Sequence, residues 1–277
     1  MYRKLGMLWL LITIAFIPLE QAIAQELKVA VVGGLQLCGV WPRLAERAEQ
    51  ELGLKLVTIA AAPKETIVPL FQNGQAALML IHGGDETLEL QAKGQAAPLR
   101  VWAYNEHVIV GPEQDPAGVA GSPNALSAMQ RIHAAKAPFL AFRDPGSHAI
   151  VQRLWRQLGI VPDAGWLRLD TAPRRQQVLL QASRAGAYSV VGHIPVKFAK
   201  MPSPGLRVIF SGDRMMRRPY VVVTPGPRHP ADAPTREAAE RLVDFLLSAS
   251  GQNALREADR DAQGPWIFPL EDFKEYQ

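Results

Sequence analysis

The fold of this chain is decided between residues 27 and 81, which read LKVAVVGGLQLCGVWPRLAERAEQELGLKLVTIAAAPKETIVPLFQNGQAALMLI. Apolar, β-branched runs predict three strands, and amphipathic stretches between them predict two helices. The predicted order is strand Leu27–Val32, helix Pro42–Leu52, strand Lys55–Ala61, helix Lys64–Gln72 and strand Ala77–Ile81. Strands that alternate with helices are typical of a parallel sheet with helices on its faces. We therefore predict an α/β protein whose strands end at one common edge, where such sheets bind ligands.

Two loops at that edge carry candidate ligand-binding residues. The loop after the first strand, residues 33–39, holds three glycines that would let the backbone approach a ligand closely. Its candidates are Gly33, Gly34, Gln36 and Cys38. His82 ends the third strand and could donate a hydrogen bond to an anion. The alternatives are a merely flexible turn and a histidine that only braces the scaffold. The glycine spacing is not that of a dinucleotide-binding loop.

A second candidate region follows the predicted strand Phe139–Phe142, where a tight turn leads into the amphipathic helix Ala149–Leu158. A helix start offers free N–H groups and the positive end of a dipole, so it suits an anion. The candidates there are Arg143, Gly146, Ser147 and His148, with the arginine adding a full charge. The alternative is that Ser147 only caps the helix and Arg143 is a solvated surface charge.

The middle of the chain predicts a second lobe. The strand pattern Arg100–Gly111 is long enough to pass from one lobe into another, and Pro219–Val223 could return the chain. We predict a bilobal fold in which two parallel or mixed sheets with flanking helices are joined by crossing strands. The expected division is 25–106 and 217–277 for the first lobe and 107–216 for the second. Closure of two such lobes would trap a ligand in the cleft between them.

The N-terminus has the pattern of a secretory signal peptide, expected to span residues 1–24. A short basic region at Arg3 and Lys4 precedes the apolar run Leu8–Pro18, and Ala22-Ile23-Ala24 has the small residues of a cleavage site. We expect cleavage near Ala24 and a periplasmic protein. An uncleaved anchor is the alternative, although the apolar run is short for a transmembrane span.

Composition narrows the function further. The net charge is +4 and no dense basic block is present, so we predict no binding to nucleic acid. The single cysteine, Cys38, rules out an internal disulfide and a cysteine-rich metal site. No Gly-x-Ser-x-Gly or His-Glu-x-x-His motif occurs in the sequence. We expect neither enzymatic activity nor a metal or cofactor; a secreted hydrolase is the weaker alternative.

Several segments resemble, in order, the periplasmic solute-binding proteins of ABC transporters, and specifically their tungstate-binding branch. They are Ala77–His82, Asn105–Pro112, Ala137–His148, Pro219–Val223 and Asp244–Ser248, within a similarity running from Leu27 to Pro269. The resemblance implies a type II-like bilobal fold and a small anionic ligand, such as tungstate or molybdate. It also implies an inner-membrane ABC permease as partner, or alternatively a membrane sensor. We expect a monomer.

The departures from that branch concern the ligand. The branch has threonine and serine in the first loop, but residues 33–38 here contain no hydroxyl. Pro145 stands where the branch has serine, and residues 173–177 replace a glycine-rich helix start. Arg174 and Arg175 in this segment could supply new positive charge, or could be ordinary surface arginines. Each lost hydroxyl bond would cost about 1–2 kcal/mol, so we predict an anion-binding protein of altered specificity.

Overall fold

The computed structural model describes residues 24–270. Its first part alternates strands and helices, as predicted. The elements are β1 (Gln25–Val32), α1 (Gly33–Leu37), α2 (Val40–Leu52), β2 (Leu54–Ala62), α3 (Lys64–Gln72), β3 (Leu78–His82) and α4 (Asp85–Ala92). β1 pairs in parallel with both β2 and β3, which brings Val32, Ala62 and His82 to one edge of the sheet.

The second part of the chain begins with the long strand that the sequence predicted. The elements are β4 (Arg100–Pro112), α5 (Ala125–Ala134), β5 (Phe139–Ala141), α6 (Pro145–Leu158), β6 (Leu167–Leu169), α7 (Val178–Ala185), β7 (Ser189–Gly192), α8 (His193–Lys197) and β8 (Leu206–Phe210). The chain then continues through β9 (Arg217–Val223), α9 (Ala233–Leu247), α10 (Ala249–Asp261) and β10 (Ile267–Phe268).

β4 belongs to both halves of the molecule, and its pairing changes halfway along. Residues Arg100–Glu106 pair with β9, and Asn105 and Tyr104 also pair with β10. From His107 onward, β4 pairs instead with β7 and β8. β9 pairs antiparallel with β3 and so returns the chain to the first sheet. The protein therefore has the bilobal α/β fold that was predicted, with β4 and β9 as the crossing strands.

The buried apolar residues form separate groups on either side of this crossing. One group packs on β1–β3, α2 and α9, and among the described residues between 104 and 219 it includes only Ile194 of α8 and, partly buried, Phe198. Two further groups lie wholly between residues 108 and 216. We call the halves the first lobe and the second lobe. The boundaries predicted for them, at 106/107 and 216/217, stay a prediction.

Local structure differs from the sequence prediction in three places. The glycine-rich segment after β1 is not an open loop, because Gly33–Leu37 forms a helical turn. The helix α6 starts at Pro145 rather than at Ala149, since proline suits a first helical turn. The segment expected to be a helix from Arg174 begins with a 3₁₀ turn at Arg175–Gln177, and α7 follows.

Candidate functional site

A cavity of about 400 Å³ lies between the two lobes. Its first-lobe wall comes from the carboxyl ends of β1, β2 and β3 and from the starts of α1 and α3. Its second-lobe wall includes Phe142, Asp144, Arg175, Ile194 and Met201. Between the walls lie residues of β4 and β9, the strands that cross from one lobe to the other. Both lobes thus contribute to one site, which is the arrangement a closing cleft requires.

The two crossing strands present alternate residues to this cavity. Asn105 and His107 of β4 line it, whereas Glu106 faces elsewhere and contacts His193, with 3.3 Å between its Oε2 and the histidine Nδ1. On β9 the same spacing places Arg218 and Tyr220 in the cavity. Side chains two residues apart on a strand share a face of the sheet, so strand geometry explains both pairs.

His82 is held in place by its neighbours. Its Nε2 lies 3.1 Å from Asn105 Oδ1, and its ring stacks on Tyr220 with ring centroids 4.2 Å apart. Burial lowers the pKa of His82 well below the ordinary value, and the positive charge of Arg218 lowers it further. His82 is therefore neutral at neutral pH and offers a hydrogen bond rather than a charge.

His107 is the second histidine of the cavity. It is almost fully buried, and burial together with the nearby Arg218 guanidinium lowers its pKa to about 4. Its Nδ1 has no hydrogen-bond partner within residues 24–270. An unpaired buried polar atom is costly, and here a ligand in the cavity could satisfy it.

Arg218 is the cation best placed to bind an anion. Only 14% of its side chain is exposed. Its contacts are long: Nη1 lies 3.9 Å from Asp144 Oδ2, and Nη2 lies 3.4 Å from the Gly83 carbonyl. Burial lowers the pKa of Arg218, but a guanidinium stays protonated at neutral pH. A desolvated cation with such loose partners attracts an anion strongly.

Arg218 also explains the glycine at position 146. The guanidinium lies over the first turn of α6, so that a Cβ at Gly146 would collide with it. A further cavity of about 370 Å³ lies beside this turn and shares Lys64 and Arg218 with the main cavity. Gly146 thus serves the site by making room for the arginine.

The other charges of the cavity are already paired. Lys64 Nζ donates to both carboxylate oxygens of Glu86, at 2.8 and 2.7 Å. Arg175 lies 3.5 Å from Glu65, but both side chains are more than half exposed. The pair joins a residue before α7 to α3 across the cleft. Exposed pairs of this kind contribute little energy.

The predicted anion cradle at α6 is occupied by a carboxylate of the protein itself. Asp144 is the N-cap residue, and its Oδ2 accepts hydrogen bonds from the N–H groups of Gly146 and Ser147, at 3.0 and 3.2 Å. The interpretation of Ser147 as the cap is therefore wrong. Ser147 is buried and its hydroxyl has no partner among the described residues, while His148 is exposed.

Arg143 does not line the main cavity, and its ion-pair partner is a buried acid. Its Nε lies 3.5 Å from Oδ2 of Asp170, whose side chain is fully buried, and it also donates to the Ala172 carbonyl. A buried carboxylate needs a counter-charge, and Arg143 supplies it. Arg143 is not among the described residues that line the main cavity, and its role in anion binding stays a prediction.

Cys38 lies in a different part of the first lobe. It is buried, its Sγ lies 3.5 Å from the Leu35 carbonyl, and burial raises its pKa to about 11. It borders a separate cavity that also contacts Arg43, His193 and Trp266. Burial and the raised pKa keep this thiol protonated at neutral pH, which makes it a poor nucleophile.

The structure thus brings together only part of the predicted site. Gly33, Gly34, His82 and Arg175 line the main cavity. Among the described residues, its lining does not include the other candidates, which are Gln36, Cys38, Arg143, Gly146, Ser147, His148 and Arg174.

Sequence reasoning missed the polar residues that the crossing strands contribute: Asn105, His107, Arg218 and Tyr220. Both strands were predicted, and their alternation would have placed these residues on one face. Arg218 lies close in sequence to Arg214 and Arg217, and three arginines near a strand are more typical of a solvated surface than of a binding site.

Within residues 24–270, no three His, Cys, Asp or Glu side chains are grouped so that they could hold a metal ion. The same range contains no helix with the length and hydropathy needed to span a bilayer.

Comparison with known proteins gives a family match. A model for the family described as bacterial extracellular solute-binding protein matches residues 27–258. A Haloferax volcanii protein described as an ABC transporter anion-binding protein is 26% identical over 252 residues, which cover 88% of this chain and 71% of that relative.

Two solved structures have a similar fold. The tungstate ABC transporter structure from Geobacter sulfurreducens matches with a TM-score of 0.65 and 22% identity, over 84% of this chain and 98% of that one. The tungstate-binding protein from Desulfovibrio alaskensis matches with a TM-score of 0.63 and 23% identity, over 83% and 93% of the two chains. At these identities the likeness concerns the fold alone.

Proposed function

The chain belongs to the bacterial extracellular solute-binding proteins, and from this we propose that it captures a small anion in the cavity between its lobes. The captured anion would be handed to the permease of an ABC transporter. This places its work outside the cytoplasm, in the periplasm if residues 1–24 are removed as a signal peptide. Those residues, apart from Ala24, lie outside the described part of the chain.

The observation that carries the proposal is the state of Arg218. It is a largely buried cation at the junction of the two lobes, and its contacts to Asp144 and Gly83 are 3.9 and 3.4 Å long. Burying a charge without a close partner is expensive. An anion in the cavity would offset that cost, because the bound ligand would itself be the counter-ion of Arg218.

The neighbouring side chains suit the same ligand. The free Nδ1 of His107 provides a further polar contact in the cavity. His82 is fixed against Tyr220 and Asn105, so it would be ready to bind without rearrangement. Pre-positioned groups of this kind lower the entropic cost of binding.

The anions to test first are suggested by the descriptions of similar proteins. The Haloferax volcanii relative is described as binding an anion, and two proteins of similar fold are named for tungstate. Tungstate and molybdate are therefore the first anions to test. Delivery to a permease is likewise proposed from family membership.

Thermal unfolding of the chain from Gln25 to Gln277 tests the proposal. The protein is unfolded with tungstate, molybdate, sulfate, phosphate and small carboxylates, each as the sodium salt. Sodium chloride at matched ionic strength is the control. A ligand of the folded state raises the midpoint with the logarithm of its concentration over Kd. If no anion raises the midpoint beyond the chloride control, the proposed function is wrong.

A further inference from the structure

We infer that the anion is an organic monoanion, a carboxylate carried on an apolar body, rather than a bare inorganic dianion. This inference rests on the proposed function, because it names the chemical class of ligand for the same cavity. Charge, hydrogen-bond donors and the shape and lining of the cavity each support it.

The charge of the cavity matches one negative charge. Three cations line it, Lys64, Arg175 and Arg218, against the carboxylates of Glu65 and Asp144 within the described chain. Glu86 binds Lys64 through both of its oxygens, and Glu65 lies 3.5 Å from Arg175. Arg218 is the cation with the longest ion pair, 3.9 Å to an Asp144 that already accepts from two amides. A monoanion would give Arg218 a close partner, whereas the second charge of a dianion would have no loosely paired cation to face.

The charged donor of the cavity suits a carboxylate. Gly33–Leu37 carries no hydroxyl side chain, and the first amides of α6 are engaged by Asp144. The crossing strands add the uncharged side chains of Asn105, His107 and Tyr220 to the guanidinium of Arg218. A guanidinium matches the two parallel acceptors of a carboxylate.

The rest of the cavity is larger and more apolar than an inorganic ion requires. Its volume of about 400 Å³ lies in the range of about 300–1,000 Å³ typical of sites for small organic molecules. Leu37, Phe142, Ile194 and Met201 are among the side chains that line it. These side chains would gain by covering an apolar ligand body, with about a fourfold increase in affinity for each buried methylene.

Isothermal titration calorimetry with a matched ligand series tests the inference. The protein from Gln25 to Gln277 is titrated with acetate, butyrate and hexanoate, and separately with tungstate and molybdate, at constant ionic strength. We expect affinity to rise from acetate to hexanoate by about fourfold per methylene until the cavity is filled. We also expect the best carboxylate to bind more tightly than either metal oxyanion.

Two variants on α1 check that the apolar gain arises in this cavity. Leu37→Ser shortens a half-buried side chain of the lining, and Gln36→Ser alters an exposed neighbour outside it. Leu37→Ser should flatten the chain-length dependence while Gln36→Ser preserves it. Unfolding midpoints of the ligand-free variants verify that both are folded.

The outcomes separate the inference from the proposed function. Tungstate or molybdate binding more tightly than every carboxylate would overturn the inference and leave the proposed function standing. Carboxylates that bind with no dependence on chain length would also overturn it. Failure of every anion to bind would instead remove the proposed function itself.

Discussion

Exchanging two arginines for glutamine separates the anion site from the scaffold. The resemblance to tungstate-binding proteins pointed to Arg143, whereas the cavity contains Arg218. Arg218→Gln and Arg143→Gln are therefore a matched pair, each removing one positive charge from a different environment. Arg218→Gln should lower the affinity for the anion and keep the stability, whereas Arg143→Gln should lower the stability and keep the affinity.

Arg218→Gln is expected to weaken anion binding and to spare the fold. A hydrogen bond to a charged group contributes about 1.5–3 kcal/mol, so the dissociation constant should rise about 10- to 150-fold. Asp144 keeps its two hydrogen bonds from the amides of Gly146 and Ser147. Because the acid is not left without partners, the ligand-free stability should change by about 1 kcal/mol or less.

Arg143→Gln is expected to do the reverse. The carboxylate of Asp170 is fully buried, and apart from Arg143 it accepts a 2.8 Å hydrogen bond from the Ala172 amide. Loss of the guanidinium leaves Asp170 under-compensated, which costs about 1–3 kcal/mol. For a chain of this size, 2 kcal/mol corresponds to a midpoint lower by about 4–8 °C. The affinity for the anion should stay within about twofold of the wild type.

Calorimetry and thermal unfolding of the two variants, with the anion that binds the wild type, provide the readout. Both measurements are needed because a misfolded variant would lose binding through loss of the fold, without any change in its contact with the anion. If Arg143→Gln abolishes binding while Arg218→Gln binds normally, the assignment of the cavity as the anion site is refuted.

Three further predictions concern other parts of the molecule. His107 has a pKa of about 4 in the folded protein, against an ordinary value of 6.5. The unfolded chain therefore takes up the proton at higher pH, and the free energy of unfolding should fall as the pH drops from 6.5 towards 4. His107→Gln should make the fall in unfolding midpoint shallower over that range, and an unchanged slope would contradict this prediction. Cys38 is buried and has a pKa of about 11. Iodoacetamide at pH 8 should therefore label it at least tenfold more slowly in the native protein than in urea, measured by mass spectrometry. Equal labelling rates would show that the thiol is exposed to solvent. Arg175 lines the cavity but is exposed, so water screens its charge, and Arg175→Gln should weaken anion binding by only about two- to fivefold. Arg174 lies outside the lining, and titration of Arg174→Gln should give the wild-type dissociation constant.

The organisation of the fold could be predicted from the sequence because its signals are local. Each strand or helix of residues 27–81 is indicated by a pattern within its own residues. The end of a helix can be indicated by a single residue, such as Gly53, which has a φ of 63°. The strand Arg100–Gly111 was recognisable as a crossing strand by its length alone. Local signals were weaker at Gly33–Leu37, where glycines that indicate a loop form a helical turn.

The binding site was only partly predictable for a different reason. The edge of the first sheet follows from the order of strands and helices, so Gly33, Gly34 and His82 were identified. The start of α6 was identified as an anion site from its free amides. That interpretation did not take account of Asp144, the residue directly before the helix, whose carboxylate binds those amides.

The sequence by itself determined that this is a bilobal α/β protein with two crossing strands, since helix and strand periods are properties of neighbouring residues. Only the tertiary structure decided which arginine serves the cavity. Arg143 is neutralised by Asp170, 27 residues along the chain, and Arg218 is left beside an Asp144 that already binds two amides. A buried charged side chain is available to a ligand when the folded chain brings no counter-ion close to it. Which counter-ions come close depends on contacts between segments that are distant in the sequence.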